Sequence, residues 1–326
     1  MQNNEILDNT YIIIKHIDQN FNGSIYLVRN QNNNKYYAAK IYNNLQLNLF
    51  QNEVHITTLA SGLNHPNIIH FIQSGTGNIT NGNNIQNNQH YLITDYYSNG
   101  DLLKYVMARR FGEKHAKYIF LKILKGVEAL HGANICHRNL TLGNIYLDQD
   151  FNIKITNFSF ATIVHGNNNL NDFLGSFKYI SPQIANRQVY NGFKNDIFAL
   201  GVILFYLVNG FFGFSEPNVN DPLYRDIIEN NFDHYWGIIM QQNNIPLSET
   251  FKHLYFSMVS QDENARPTIN AILNNNWFNE ILNLNQQQLN QLENEIMNEF
   301  LNRKQIIQQH QQTQMNHIPE IQQNDR

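Results

Sequence analysis

The sequence predicts an α+β fold in which a small, mainly antiparallel β portion precedes a larger, mainly helical one, and three stretches carry that expectation. Tyr11 to Val28 and Tyr36 to Ile41 are β-branched and aromatic runs separated by the turn-forming Asn30 to Asn34, the pattern of antiparallel strands and a hairpin. His115 to His131 places Ile119, Phe120, Ile123, Leu124, Val127 and Leu130 three and four apart, which gives one helix a single apolar face. Phe198 to Val208 is almost wholly apolar and reads as a buried core helix, too short a run to span a bilayer.

The 326 residues suit one large domain, or two lobes sharing a cleft, plus a tail. A formal net charge of −4 and a pI near 6.3 leave no electrostatic footprint for nucleic acid, and no basic cluster is dense enough for an anionic membrane. The start, Met1-Gln2-Asn3-Asn4-Glu5, has neither a positive nor an apolar leader segment, so a soluble, cytoplasmic protein is expected. The single cysteine, Cys136, excludes an internal disulfide and reads as a buried small hydrophobe. Roughly one residue in six is asparagine, which makes any single Asp-to-Asn difference less surprising as drift.

Chemistry concentrates between Ile135 and Ala161, where His137-Arg138-Asn139-Leu140-Thr141-Leu142-Gly143-Asn144 is followed by Asn157-Phe158-Ser159. This resembles the catalytic loop and metal-binding motif of protein kinases, H-R-D-L-x-x-x-N and D-F-G, with both aspartates replaced by asparagine. The resemblance extends from about Tyr11 to Phe278 and implies a two-lobed kinase-like fold. A small β lobe with one key helix spans about 11–95, and a mainly helical lobe spans about 98–278. Residues 1–10 are then an N-terminal extension and 279–326 a Gln/Asn-rich tail.

Taken in order, Asp18-Gln19-Asn20-Phe21-Asn22-Gly23-Ser24-Ile25 falls where the family has its glycine-rich phosphate loop. Only Gly23 of the three glycines remains, and Asp18 sets a negative charge near the expected phosphates. Ala38-Ala39-Lys40 lies where the family lysine binds the α- and β-phosphates, and Glu53, opening an amphipathic segment, is its expected ion-pair partner. Residues 75–89 offer almost nothing to bury and read as an enlarged, mobile hairpin loop.

The resemblance further implies an ATP cleft in which Thr94 lines the back of the adenine pocket, main-chain groups from Asp95 to Tyr97 meet the base, and Asp101 faces the ribose. Ile25, Ala38 and Tyr146 would bracket the adenine, with Tyr146 larger than the residue expected there. At the catalytic loop Asn139 takes the general base's position, Thr141 replaces a phosphate-contacting lysine, and Asn144 and Asn157 are the two candidate magnesium ligands. An amide oxygen can ligate magnesium but brings no charge to balance it. ATP binding is therefore expected to be weak or absent, and magnesium binding doubtful.

Gly175 to Gln183 resembles the end of an activation segment, but no Ser, Thr or Tyr lies between Thr162 and Ser176, so Arg138 lacks a phosphoryl partner and Asp172 is the fixed charge that could stand in. Asp196 is expected to brace the catalytic loop, and Arg266 to hydrogen-bond Gln183 where relatives have an Arg–Glu pair.

Beyond Phe278 a helix from about Asn283 to Gln308 is expected, docked on the large lobe, with disorder from about Gln311. A dimerisation segment is the alternative, so the chain is either a monomer or a tail-mediated dimer. The functional expectation is a pseudokinase acting on a protein partner, an active kinase or a kinase substrate; the alternative is a weakly active serine/threonine kinase.

Overall fold

The computed structural model describes residues 5–20, 22–42, 47–82, 84–166 and 169–316. The small lobe is built from β1 (Ile6–Leu7), β2 (Tyr11–Asn20), β3 (Gly23–Asn30), β4 (Tyr36–Tyr42), helix α1 (Leu47–Gly62), β5 (Phe71–Asn81) and β6 (Asn84–Asp95). Its strands close into an antiparallel barrel in the order β1-β2-β3-β4-β6-β5. The alternation of β4 explains the lobe's core: Tyr37, Ala39 and Ile41 point inward to meet Leu7, Tyr11, Val28 and Ile93, while Ala38 and Lys40 face the cleft.

 Residues 75–89, expected to form a mobile loop, are instead part of a two-stranded ribbon with a register shift between Gly77 and Ile79: Gly75 pairs with Tyr91, Gly77 with Gln89 and Asn81 with Asn84. The glycines in this ribbon have a steric reason. A Cβ on Gly75 would lie 2.7 Å from Tyr91 Oη, and one on Gly77 would lie 2.6 Å from Asp8 Cβ. That space lets Tyr91 Oη donate to Asp8 Oδ2 at 2.5 Å, which ties the ribbon to the N-terminal turn. The expected N-terminal extension therefore contributes part of the barrel, since Ile6 pairs with both Ile12 and Thr80.

The large lobe follows a short linker. It comprises α2 (Leu102–Ala108), α3 (Glu113–Gly132), β7 (Ile135–Cys136), β8 (Ile145–Leu147), β9 (Ile153–Ile155), β10 (Thr162–Ile163), β11 (Asn169–Leu170), α4 (Pro182–Ala185), β12 (Tyr190–Asn191) and α5 (Gly192–Asn209). These are followed by α6 (Pro222–Ile228), α7 (Phe232–Asn243), α8 (Glu249–Met258), α9 (Ile269–Leu273), α10 (Asn279–Leu282) and α11 (Gln286–Asn316). The apolar face of α3 is buried as its spacing predicts, and Gly126 lets it approach Ile155 on β9.

Helix α5 begins earlier than the apolar run alone suggests. Asn191 caps it by accepting from Lys194 N at 3.1 Å, and Gly210 ends it in the left-handed region at φ +81°. By length and composition α5 could cross a membrane, yet 89 % of it is buried inside the protein. Cys136 is fully buried, and burial pushes its thiol up.

Helix α11 continues to Asn316, past the expected limit of Gln308, and its inner face is docked: Leu292, Ile296 and Phe300 are buried in the large-lobe core. Residues 311–316, expected to be disordered, belong to this helix, while 317–326 lie outside the described residues. Gly77→Val should lower unfolding stability by about 1–3 kcal/mol, because the side chain has no room beside Asp8. Urea denaturation measures this, and an unchanged midpoint would contradict the closed barrel.

Candidate active site

The site starts with two side chains that strand and helix geometry bring together. Lys40 Nζ on β4 lies 2.6 Å from Glu53 Oε2 on α1, with side-chain exposures of 8 % and 4 %. Lys40 also donates to Ser159 Oγ at 2.8 Å. A buried ion pair needs its remaining polar capacity filled, and Ser159 fills it here.

The catalytic loop hangs from one carboxylate. Asp196, buried on α5, accepts from His137 N and Arg138 N, each at 2.8 Å, and lies 3.0 Å from His131 Nε2. Burial pushes the His137 imidazole down, so it is neutral. Its Nε2–H donates to Thr156 O at 2.9 Å while Nδ1 accepts from Asn139 N at 3.3 Å. Arg138 takes the left-handed conformation at φ +60° and sends its guanidinium to Asp172 Oδ2 at 2.7 Å and to Phe160 O at 2.6 Å. The expected fixed charge thus sits on the arginine and orders the activation segment without a phosphate. Arg266 likewise donates to Gln183 Oε1 at 2.6 Å.

Thr141 plays a different part from the lysine whose position it takes. Its Oγ1 accepts from Asn144 N at 3.2 Å and caps the short turn Leu142–Asn144, so it shapes the loop and does not line the cleft. Asn139 is also turned away: its Oδ1 accepts from Ser176 N at 3.1 Å and Ser176 Oγ at 2.9 Å.

The two candidate magnesium ligands are joined to each other by a hydrogen bond. Asn144 Nδ2 donates to Asn139 O at 2.8 Å, which leaves Asn144 Oδ1 facing Asn157, and Asn157 Nδ2 donates to it at 2.9 Å. Asn157 Oδ1 in turn lies 2.7 Å from Ser159 Oγ. The single Ser159 proton serves either Asn157 or Glu53 Oε2, also 2.7 Å away. Donors thus run from Asn157 through Asn144 to the backbone of Asn139, and Ser159, which accepts from Lys40, links this run to the ion pair. Asn144 Oδ1 is thus engaged by an amide N–H, and neither asparagine carries a negative charge. As hydrogen-bonded here, they offer a magnesium ion no charged ligand. Asn157 is suited to its place, φ +62°, because asparagine tolerates the left-handed region.

Between the lobes lies a cleft of about 780 Å³, within the range of small-molecule sites. Of the residues expected there, Asp18, Ile25, Ala38, Lys40, Glu53, Thr94, Asp95, Tyr97, Asp101, Asn144, Tyr146 and Asn157 line it. Gly23 does not: its backbone packs so closely on Ile41 that a Cβ would run into the Ile41 carbonyl, a structural reason for this glycine's retention. Arg138 and Asn139 lie outside the lining, and the Asn20 side chain lies outside the described residues. Tyr97 faces the back of the linker, its hydroxyl accepting from His70 N at 3.1 Å. Asp101 is engaged as the cap of α2, accepting from Lys104 N at 3.1 Å and pairing with Lys104 Nζ at 2.8 Å. Burial, with the charges of Asp101 and Asp18, pushes the Tyr146 phenol up, so it stays neutral between roof and floor.

Sequence reasoning missed Ser159 as the bridge between the ion pair and the metal positions, because its partners are two and 106 or 119 residues away. It also missed Lys304, Gln308 and Gln311, which line the cleft from α11. Ser159→Ala should lower stability by about 1–3 kcal/mol by leaving buried partners unsatisfied. Urea unfolding with an intact circular-dichroism spectrum checks it, and a neutral result would show the bridge to be dispensable.

Comparison with known proteins agrees with this geometry. The family described as "Protein kinase domain" matches residues 11–278. The chain is 30 % identical over 227 residues to the carbon catabolite-derepressing protein kinase of Secale cereale, covering 69 % of this chain and 41 % of that protein. Two Dictyostelium discoideum proteins are also similar. The probable serine/threonine-protein kinase MARK-B is 31 % identical over 194 residues, covering 58 % of this chain and 26 % of that protein. The probable serine/threonine-protein kinase MARK-A is 29 % identical over 278 residues, covering 82 % and 24 %. The chain thus matches less than half the length of each of these relatives. Protein kinase domains in general use ATP and magnesium. With the two-lobed α+β architecture, the Lys40–Glu53 pair and a family match across residues 11–278, the chain belongs to the eukaryotic-type protein kinase superfamily.

Proposed function

We propose that this chain is a pseudokinase, a kinase fold used as a regulatory or scaffolding module that holds ATP weakly and transfers little phosphate. The observation that carries this reading is the hydrogen-bonded run Ser159–Asn157–Asn144, joined to Lys40 at one end and the Asn139 carbonyl at the other, which satisfies the metal positions with one another while Ser176 holds the Asn139 side chain. A positioned general base is worth about 10² to 10⁴ in rate, and a neutral amide at 139 forfeits it. Set against a kinase turnover of about 1 to 100 per second, that loss alone leaves little activity. The balance of charges and the absence of a basic cluster favour a protein partner, an active kinase or a kinase substrate, over nucleic acid or membrane. A cytoplasmic location is part of the same reading.

A second reading, a weakly active serine/threonine kinase, is favoured by one pair of observations. Lys40–Glu53 is formed, and Arg138–Asp172 holds the activation segment, so the positioning half of phosphoryl transfer is in place.

Nucleotide titration followed by thermal shift, with and without magnesium, separates the two. The pseudokinase reading expects a small stabilisation by ATP that magnesium does not enhance and that Lys40→Ala removes. Transfer of phosphate by the unsubstituted chain, lost in Lys40→Ala, would sink it. The double variant Asn139→Asp with Asn157→Asp should raise phosphate transfer at least about 10²-fold over the unsubstituted chain, since it returns a general base and a metal carboxylate to a site whose Lys40–Glu53 pair is already formed.

A further inference from the structure

The helix α11 begins as a clamp on the large lobe and ends at the mouth of the cleft. Its first turns pair acidic side chains with the basic end of α3: Glu295 with Lys114 at 2.8 Å, Glu293 with Tyr118 Oη at 2.5 Å, and Glu299 with His115. Phe300 then stacks on Phe151, centroids 5.2 Å apart, and meets Tyr105 and Phe111 edge-on. Arg303, 1 % exposed, donates to the carbonyls of Tyr105 at 3.0 Å and Arg110 at 2.9 Å, as well as to that of Arg109, so it closes the C-terminal end of α2. These contacts fix the axis and rotation of α11 independently of any ligand.

One turn further on, the same face leaves the core. Lys304, Gln308 and Gln311 are spaced four and three apart, which puts them on one stripe, and all three line the cleft. Lys304 Nζ donates to Asn99 Oδ1 at 2.7 Å. Asn99 lies in the linker between the lobes, and its Nδ2 donates to Asp148 O at 2.6 Å. Lys304 therefore grips the linker next to Asp101 and Lys104, on the side of the cleft that the resemblance assigns to a nucleotide's sugar. Where the stripe faces the core it is apolar; where it faces the cleft it offers an ammonium and two carboxamides, groups able to meet hydroxyl oxygens.

We infer that α11 is the outer wall of the nucleotide subsite, with Gln308 and Gln311 as sugar-contacting residues and Lys304 as the positioning residue that holds the wall to the linker. The inference rests on the nucleotide-binding part of the function proposed above. It makes occupancy of the cleft and docking of the last turns of α11 two coupled equilibria. By linkage, whatever factor the wall adds to nucleotide affinity is the factor by which nucleotide tightens the docking. A partner that draws residues 304–316 away from the linker would then release the ligand.

The test uses the full chain, with ADP and adenine as probes, and the double variant Gln308→Ala with Gln311→Ala, whose positions are exposed and leave the anchors Phe300 and Arg303 untouched. Calorimetric titration should give ADP affinity about 3- to 10-fold weaker in the variant, with adenine affinity unchanged, because the base does not reach the wall. Hydrogen exchange of 305–313 should slow on adding ADP to the unsubstituted chain and not on adding adenine. Equal ADP affinity in the two proteins, an equal loss for ADP and adenine, or tighter ADP binding in the variant would each overturn the wall, the last by making α11 a plug. If ADP binds and Lys40→Ala abolishes binding while the α11 variant is indifferent, only this inference fails. If ADP does not bind the unsubstituted chain, the nucleotide reading fails with it.

Discussion

A single buried carboxylate, Asp196, holds the segment on which every functional position depends. It is supplied by the almost wholly buried α5 and accepts hydrogen bonds from two adjacent backbone N–H groups, those of His137 and Arg138, in a loop that would otherwise leave them without partners. Because both donors are fixed, Arg138 can occupy its left-handed conformation, its side chain can reach Asp172, and the carbonyl of Asn139 faces Asn144. The loop is shaped by α5 from below, through contacts to the backbone of residues 137 and 138.

This division explains how the scaffold can persist while the chemistry departs. A carboxylate at 157 would need a cation or a donor to offset its charge beside Glu53. The amide brings no charge to offset: it donates to Asn144, and its oxygen lies within hydrogen-bond distance of Ser159 Oγ. Ser159 completes the exchange by joining the metal position to the Lys40–Glu53 pair. Neutral side chains that satisfy one another replace an arrangement of charges that would have required a ligand, and partly satisfied buried networks are the costly alternative.

The tail belongs to the same economy of contacts. Arg303 is long enough to bury its guanidinium at the end of α2 and to lie 3.5 Å over the Phe111 ring, so the helix is anchored by one side chain through charge, hydrogen bonds and an aromatic face together. The small lobe is tied down in a comparable way at its other end, where Asp8 and Tyr91 join the N-terminal turn to the ribbon.

Local pattern was enough to identify the order of strands and helices, the apolar face of α3, the Lys40–Glu53 pairing, the brace at Asp196, the stand-in charge at Asp172 and the partnership of Gln183 with Arg266, because each rests on periodicity or on a motif at characteristic spacing. The 75–89 ribbon was not legible, since its strands have few apolar residues and are held by register and by the close approach that Gly75 and Gly77 allow. Nor was the role of Thr141 as a cap, the reason for Gly23, or the reach of α11 to the cleft. By itself, then, the sequence determined the family architecture and the identity of the groups at the catalytic positions. Only the tertiary structure decided how those groups are used, because a hydrogen bond between amides, a hydroxyl shared by three partners and a helix face turned toward a cleft are properties of distance and direction among residues far apart in the chain.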